Sequence, residues 1–333
     1  MRGRCYDPFR PGESGVGVLT TQARDFDRDR VFPCEVWYPA AADPGSEQRE
    51  APAAPGRHPL IVFSHYSFGN RRRATFLCRH LASHGYVVAA MDHSECVVPE
   101  MTGRPGETSA DRAARIQAII ASRVPDVRFL LGYLLDGEAA GLAGIGIDPG
   151  LVGVAGHSFG GWTALAASAA EPRFRAVVAL APGGGSHPRP GVLPLPVPSG
   201  WQGELPVLIL TGDHDVPVPL DAVLEVFESA PAPKRMFVLR RADHQHFADD
   251  VEESHEALRA MTLPAEAAWL TAEMLPVSEL CPAEHAHLFT RGLALAHLDA
   301  ALRRDGAAQA FLGNSAEAAL AASGIDAYRV AVA

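Results

Sequence analysis

One stretch near the middle of the chain indicates the fold, the sequence LVGVAGHSFGG over residues Leu151–Gly161. Its apolar first half predicts a buried strand, and the small residues after it predict a helix. Between them the pattern G-x-S-x-G, from Gly156 to Gly160, is typical of a sharp strand-to-helix turn that exposes a serine. Glycines flank such a turn because larger side chains would collide with it. The stretch therefore predicts an α/β fold with Ser158 as a nucleophile at a strand end.

Strand and helix patterns alternate on both sides of this stretch. Strands are predicted within 16–40 (two strands, the second at Phe32–Tyr38) and at Leu60–Phe63, Tyr86–Met91, Leu151–Ala155, Ala176–Leu180, Val207–Leu210 and Arg235–Leu239. Helices are predicted at Arg72–His84, Asp111–Leu135 with a break at Pro125, Gly161–Ala170 and Leu220–Phe227. Such alternation is typical of a mostly parallel sheet with helices on both faces, whose ligand sites lie at the carboxyl ends of the strands.

Two segments do not follow this alternation of strands and helices. Residues 183–203 are rich in Pro and Gly, and they are interpreted either as an apolar flap over the serine or as an inert surface loop. Residues 264–333 are rich in Ala and Leu with helical spacing, as at Leu288, Leu295, Leu298 and Leu302. We therefore expect a catalytic domain over 1–263, with 183–203 as an insertion, and a C-terminal helical extension over 264–333 packed on the same domain.

A serine hydroxyl is a weak nucleophile unless a base takes its proton, and the base needs an acid to orient it. Two acids, Asp213 and Asp215, follow the strand at Val207–Leu210. Many hydrolases with this serine turn carry their acid in a G-x-x-D-x-x-V-P pattern, which fits Asp215 and makes Asp213 the alternative. After the next strand, His244 and His246 compete as the base.

The negative oxygen of an acyl-transfer intermediate needs two N–H donors. One is expected from Phe159, the residue after the serine, and the other from Tyr66 in the loop after Leu60–Phe63. The Tyr66 ring is either a wall of the substrate pocket or a packing aromatic. His157, and Trp201 from the Pro-rich segment, are also expected to line the pocket.

At these residues the sequence resembles the α/β-hydrolases around platelet-activating-factor acetylhydrolase and dienelactone hydrolase, and cutinase-like polyester hydrolases share parts of the pattern. The matching stretches are FSH at 63–65, LASHGYVVAA at 81–90 and GHSFGG at 156–161, with EVWYP at 35–39 and RVPDV at 123–127. The stretch HQHFAD at 244–249 is similar to the H-Q-x-F-A-D of the acetylhydrolases, which favours His244 over His246. The resemblance covers roughly residues 16–250 and implies the α/β-hydrolase fold.

Two departures narrow what the resemblance implies. The acetylhydrolases carry their acid in an A-L-D stretch, where this chain has Ala179-Leu180-Ala181. The acid is therefore expected from the next strand, as in dienelactone hydrolases and cutinases, which supports Asp215. Dienelactone hydrolase itself uses a cysteine nucleophile, whereas this chain has Ser158, so general ester hydrolysis fits better than that specific reaction.

The expected activity is hydrolysis of a small carboxylic ester through an acyl-enzyme on Ser158, with His244 as base and Asp215 as acid, and with no cofactor or metal. The alternatives are a lactone, amide or polyester substrate on the same triad, or a binding or regulatory protein that keeps the fold with the triad idle. The sequence gives no indication of the oligomeric state.

Composition excludes several other classes of protein. The net charge of -10 and the pI of about 5.8 argue against a nucleic-acid partner. No run of 18 apolar residues predicts a membrane span. The five cysteines, at positions 5, 34, 78, 96 and 281, lack the spacing of a disulfide framework or a zinc site and are expected to be buried thiols. No secretory signal is evident at the N-terminus, so a cytoplasmic location is expected.

Overall fold

The computed structural model describes residues 6–93, 104–136, 142 and 144–331. Its strands are β1 Gly15–Asp25, β2 Arg30–Ala40, β3 Glu47–Arg49, β4 His58–Ser64, β5 Val87–Met91, β6 Ile147–His157, β7 Ala176–Leu180, β8 Val207–Gly212, β9 Lys234–Leu239 and β10 Ala327–Arg329. Its α-helices are α1 Thr75–Ser83, α2 Ser109–Leu135, α3 Phe159–Ala170, α4 Leu220–Ser229, α5 Val251–Arg259, α6 Ala268–Glu273, α7 Ala283–Leu302, α8 Gly306–Ala310 and α9 Ala316–Ala322.

These strands form one sheet in the order β10-β9-β8-β7-β6-β4-β5-β2-β1-β3. The six strands from β9 to β5 run parallel, while β2 is antiparallel to both β5 and β1, and β10 is antiparallel to β9. The mostly parallel sheet expected from the sequence is confirmed. Because β4, β6, β7, β8 and β9 are parallel, the loops after them meet at one edge of the sheet.

Each central strand is buried on both faces, so alternate side chains enter two separate cores. In β4, Leu60 and Val62 pack into the core beneath α2, α3 and α4, whereas Ile61 and Phe63 pack into the core beneath α1 and α7. This arrangement explains why the strands are continuous apolar runs instead of alternating polar and apolar residues. Helices lie on both faces of the sheet, as the sequence predicted.

The predicted helix break at Pro125 is wrong, because α2 continues through this residue. A proline inside a helix removes one backbone hydrogen bond and costs about 3 kcal/mol. Buried side chains on both sides of it, among them Ile119, Ile120, Val127 and Leu130, pack against the sheet or against α3, and this tertiary packing offsets the cost.

Two short edge strands were not predicted from the sequence. Residues 47–49 lie in a stretch interpreted as a loop, but they pair with β1 as β3. Residues 327–329 lie in the segment interpreted as helical, but they pair with β9 as β10. Strands this short carry too little periodicity to be recognised, and their pairing depends on a partner that is distant in sequence.

The C-terminal helix α7 packs against the body of the protein. Leu295, Leu298 and Leu302 are buried in the core that contains Ile61 and Phe63, and Leu288 is half-buried against it. These contacts agree with the expected packing of residues 264–333, although the division after residue 263 remains a prediction. No helix in the described ranges is long and apolar enough to cross a membrane.

Three of the five cysteines lie within the described chain. Cys34, Cys78 and Cys281 are buried free thiols, as expected, and Cys5 and Cys96 lie outside the described residues.

Candidate active site

Ser158 lies at the junction of β6 and α3 with a strained backbone. Its φ of 56° and ψ of -118° are unusual for a residue with a side chain and cost roughly 1–3 kcal/mol. A Cβ on Gly160 would lie 1.9 Å from the carbonyl oxygen of Ser64, and one on Gly156 would lie 2.2 Å from that of Gly160. These positions therefore require glycine, which is the physical reason for the G-x-S-x-G pattern.

The backbone of Ser158 is held by three hydrogen bonds. Its N–H donates to the carbonyl oxygen of Leu180 over 2.8 Å, and its own carbonyl oxygen accepts from the N–H groups of Trp162 and Gly183, at 2.9 and 3.0 Å. The residue as a whole is half-buried, although both of its neighbours are buried. The turn thus presents the serine at the edge of the sheet while fixing its main chain.

Asp215 and His244 meet at the same edge, although 29 positions separate them in the sequence. Asp215 follows β8, and one of its carboxylate oxygens accepts from the N–H of Val218 over 2.8 Å. The other carboxylate oxygen lies 2.7 Å from Nδ1 of His244, which begins a short turn of 3-10 helix after β9. Both side chains are buried, so the geometry joins the preferred acid to the preferred base.

The two alternative residues have other partners. The carboxylate of Asp213 accepts from Nδ1 of His214 and from the N–H of Arg241, each over 2.6 Å. His246 is fully buried, with Nδ1 2.8 Å from the carboxylate of Asp243 and Nε2 3.0 Å from the carbonyl oxygen of Cys281. The backbone N–H of Asp243 is a longer contact to the same Nδ1, at 3.1 Å. This geometry favours Asp215 over Asp213 and His244 over His246.

The Asp215 contact sets the tautomer of His244. A neutral imidazole that donates from Nδ1 carries its lone pair on Nε2, the nitrogen that a general base uses. Within the described chain nothing is hydrogen-bonded to this Nε2, and that includes the hydroxyl of Ser158. Serine–histidine hydrogen bonds are often long without substrate and tighten in the reacting complex.

Electrostatics favour proton acceptance by His244. Burial on its own lowers the pKa of an imidazole, but the charge and the hydrogen bond of Asp215 reverse this, so that the pKa of His244 is raised. The ring of His157 packs against that of His244, with centroids 4.8 Å apart. Burial holds the pKa of His157 well below its ordinary value, so this neighbour stays neutral and adds no competing charge.

The loop that carries Tyr66 lies directly beside the serine turn. Ser64, the last residue of β4, pairs in register with Gly156 of β6, and Gly160 packs against the carbonyl oxygens of Ser64 and His65. Tyr66 comes two residues after Ser64. On the other side, Phe159 is the first residue of α3, and its N–H therefore has no acceptor within the helix. The two N–H groups predicted to bind an oxyanion thus belong to adjoining segments.

Aromatic rings form one side of the site. The half-buried ring of Tyr66 meets that of His157 edge-on, with centroids 5.0 Å apart, and Phe247 also contacts His157. Of the two expected pocket residues, His157 therefore lies beside His244, and Tyr66 lies beside His157.

Part of the Pro-rich segment 183–203 lies over the start of α3. Leu195 is buried against Phe159 and Trp162, and the indole N–H of Trp162 donates to the carbonyl oxygen of Pro196 over 2.7 Å. Leu195 was not singled out as a pocket residue. One leucine in an irregular segment carries no periodic signal, so its role depends on how the segment folds back.

The structure does not place Trp201 in the pocket, and that expectation is corrected. Its indole N–H donates to the hydroxyl of Ser168 over 3.0 Å, and its ring packs on the core beneath α3. Ser168 is ten positions beyond Ser158, which corresponds to roughly 15 Å along a helix. By residue 201 the chain has therefore left the serine and reached the far end of α3.

The described ranges contain no group of three or more His, Cys, Asp or Glu side chains arranged to hold a metal ion.

Comparisons with known proteins identify the fold and the family of the chain. The chain is similar in structure to a ferulic acid esterase from Streptomyces cinnamoneus, with a TM-score of 0.65 and 22% identity over 89% of this chain and 93% of that one. At this identity the likeness shows a common fold, and it confirms the expected α/β-hydrolase architecture. A family model described as the dienelactone hydrolase family matches residues 49–273, about two thirds of the chain, and this range includes Ser158, Asp215 and His244. The chain therefore belongs to the dienelactone hydrolase family, within the α/β-hydrolase superfamily.

Proposed function

We propose that this protein hydrolyses carboxylic esters through an acyl-enzyme intermediate on Ser158. Membership of the dienelactone hydrolase family supports a hydrolase acting on esters or lactones. The observation that carries the finer proposal is the 2.7 Å contact between Asp215 and Nδ1 of His244, beside a serine on a strained turn. This contact leaves Nε2 of His244 with the lone pair that a general base requires.

The proposed reaction has two halves. The hydroxyl oxygen of Ser158 attacks the ester carbonyl while His244 takes its proton, and the N–H groups of Phe159 and Tyr66 bind the resulting oxyanion. His244 then gives the proton to the leaving alcohol, and the acyl group remains on Ser158. A water, deprotonated by His244, then attacks this acyl group; the bond between the acyl carbon and Ser158 breaks, the acid leaves, and His244 returns the proton to the serine oxygen. Asp215 orients the imidazole and stabilises its charged form, and no cofactor takes part.

The surroundings of the site suit a substrate with an apolar acyl group. The half-buried ring of Tyr66 supplies apolar surface on the loop beside the serine turn, and Leu195 packs on Phe159, the residue after Ser158; the proposed partner is accordingly a small-molecule ester. A lactone, an amide and a polyester share the same acyl chemistry. Initial rates with esters of graded acyl length, a lactone, an anilide and a polyester film will rank these substrate classes.

The test of the mechanism is the Ser158→Ala variant. We expect it to fold like the wild type and to lose at least about 10⁴-fold in turnover of a p-nitrophenyl ester, because a triad without its nucleophile retains little activity. A fluorophosphonate should label the wild type at Ser158, since only an activated serine reacts, and it should leave Ser158→Ala unlabelled. Wild-type-like turnover by the variant would refute the proposal, and an unlabelled, inactive wild type would favour a binding protein with this fold.

A further inference from the structure

Arg123 is a fully buried charged residue that the proposed mechanism does not use. It lies on α2 with its side chain removed from solvent. Burying a guanidinium is costly unless its N–H groups find acceptors. The groups that accept from Arg123 therefore indicate what this residue holds in place. Its Nη1 donates to the carbonyl oxygen of His65 over 2.9 Å and to the hydroxyl oxygen of Ser64 over 3.0 Å.

The contact with His65 acts directly on Tyr66. The carbonyl of His65 and the N–H of Tyr66 belong to one planar peptide group, and in a trans peptide they point in opposite directions. An arginine that holds this carbonyl therefore fixes the direction of the Tyr66 N–H, which points away from the guanidinium. Tyr66 is the residue whose N–H we assign to the oxyanion.

Arg123 also contacts the residue that carries the other donor. Its guanidinium lies over the ring of Phe159, with the central carbon 4.1 Å from the ring centroid. One side chain thus touches the start of the loop that carries Tyr66 and the first residue of α3. The relative position of the two N–H groups depends on these two segments, which are far apart in sequence.

A hydrogen-bond chain with a definite direction continues from this arginine. Because Ser64 accepts from Arg123, its own hydroxyl hydrogen is available to Nε2 of His93, 3.0 Å away. Nδ1 of His93 then donates to Asp126 over 3.0 Å. Burial keeps the pKa of His93 well below its ordinary value, which fits a neutral ring that accepts at Nε2 and donates at Nδ1. Asp126 is anchored in turn by Arg28, at 2.7 Å.

The same chain fixes the loop at a second carbonyl. Nδ1 of His65 lies 2.7 Å from the carbonyl oxygen of Tyr66, and the N–H of His93 donates to Nε2 of His65 over 3.2 Å. The carbonyls on both sides of the Tyr66 N–H are therefore held by polar contacts.

We propose that Arg123 is a positioning residue for the oxyanion hole, which holds the N–H of Tyr66 at a fixed orientation and distance relative to that of Phe159. This inference rests on the proposed function. It predicts that loss of Arg123 weakens binding of the transition state more than binding of the substrate, because the oxyanion forms only during the reaction.

The experiment compares Arg123→Lys with the wild type, with every rate expressed per serine titrated by a fluorophosphonate. Lysine keeps the charge, but its compact ammonium on a flexible stem lacks the planar guanidinium, whose Nη1 meets both acceptors while its central carbon lies over the ring of Phe159. We expect kcat to fall about 10²-fold with KM within threefold, as for other small misplacements in an active site. The inhibition constant of a trifluoromethyl ketone, which forms a tetrahedral oxyanion on the serine, should rise by a similar factor.

Ser64→Ala provides a milder second variant in case Arg123→Lys folds poorly. It removes one acceptor of Arg123 together with the link to His93, and it should lower kcat and ketone affinity in parallel, by about tenfold. Arg28→Gln is the matched control, because Arg28 belongs to the same network through Asp126 but has no bond to residues 64–66. It should lower the melting temperature and leave kcat/KM per titrated serine within threefold.

The outcomes separate the two proposals. If the wild type titrates at Ser158 but Arg123→Lys and Ser64→Ala keep wild-type ketone affinity, or lose activity only through KM, the positioning role is overturned and the proposed function stands. If the wild type does not titrate at all, the proposed function fails and this inference fails with it. Equal losses of kcat in Arg28→Gln and Arg123→Lys would also overturn it, because they would indicate general destabilisation.

Discussion

Two buried carboxylate–histidine pairs lie close together in this protein, and we assign chemistry to only one of them. In the first, Nδ1 of His244 contacts Asp215, and in the second, Nδ1 of His255 contacts Asp243. They differ at the other ring nitrogen. Nε2 of His255 lies 2.8 Å from the carbonyl oxygen of Leu275, whereas in the described chain Nε2 of His244 has no such partner.

This difference decides what each ring can do. A histidine between two acceptors donates from both nitrogens, so it is stable as a cation and has no lone pair to offer. A histidine with one acceptor keeps a lone pair for proton transfer. The pKa values of both rings are raised by their carboxylates against the effect of burial, so the pKa alone does not separate the two roles.

The second pair has a structural role. Asp243 immediately precedes the turn that carries His244, and it accepts from the N–H of Gln245 over 2.9 Å. Burial alone would raise its pKa, but the hydrogen bonds from His246 and His255 lower the pKa of Asp243 below its ordinary value. This charged cluster connects the turn that carries His244 to α5 and to the chain beyond it.

The largest expected difference between the pairs is in turnover. His244→Gln should lower kcat by about 10⁶-fold, because the serine loses its base. His255→Gln should lower the free energy of unfolding by about 3 kcal/mol, because it leaves Asp243 partly uncompensated, and should change kcat per titrated serine by less than tenfold. Ester kinetics and urea unfolding on both variants measure this. Similar losses of kcat would show that the second pair is also catalytic.

A smaller loss is expected when the acid of the first pair is neutralised. Asp215→Asn keeps the shape of the site but can hold His244 in the wrong tautomer, and it should cost about 10⁴-fold in kcat. Asp213→Asn is the matched control on the same loop and should cost less than tenfold, since Asp213 contacts His214 and the main chain instead. The reverse order of effects would make Asp213 the acid of the triad.

The smallest expected effect is that kcat/KM and the free energy of unfolding change in opposite directions as the pH rises. His244 must be neutral to act as a base, so kcat/KM should rise with pH around a midpoint above the ordinary histidine value of about 6.5. Although burial on its own lowers the pKa of His246, its hydrogen bonds to Asp243 and Cys281 raise it to about 10. The stability contributed by this ring is complete below about pH 6.5 and is lost as the pH rises through its folded value.

The free energy of unfolding should accordingly fall by about 4 kcal/mol between pH 6.5 and 10, while kcat/KM rises over the lower part of that range. Urea titrations and initial rates across this interval measure the two curves. His246→Gln should flatten the stability curve and leave the midpoint of the rate curve in place. A shift of that midpoint in this variant would show that His246 and His244 titrate together.

Much of the site could be inferred from local sequence. The serine turn needs glycine at positions 156 and 160, because a Cβ at either would meet the main chain of its neighbours, and this need leaves a visible pattern. The parallel strands can likewise be predicted from the sequence, since burial on both faces makes them apolar runs. These features depend on residues that are close in sequence.

The remaining features depend on contacts between distant segments. The choices between Asp213 and Asp215 and between His244 and His246 rest on which side chains meet after β8 and β9 pair, although in each case the sequence had favoured the residue that the geometry also favours. The position of Trp201 on Ser168 was not predictable, because an irregular Pro-rich segment carries no periodicity that fixes its path.

Arg123 shows most clearly the difference between what local sequence predicts and what contacts between distant segments decide. The sequence alone determined that the chain folds as an α/β-hydrolase with a serine at the strand end, and it marked RVPDV at 123–127 as a matching stretch without a role. Only the tertiary structure shows that Arg123 donates to residues 64–65, because these acceptors lie nearly sixty positions away. A buried charge is tolerated only where the fold brings its partners together, and that arrangement is set by the packing of α2 against β4.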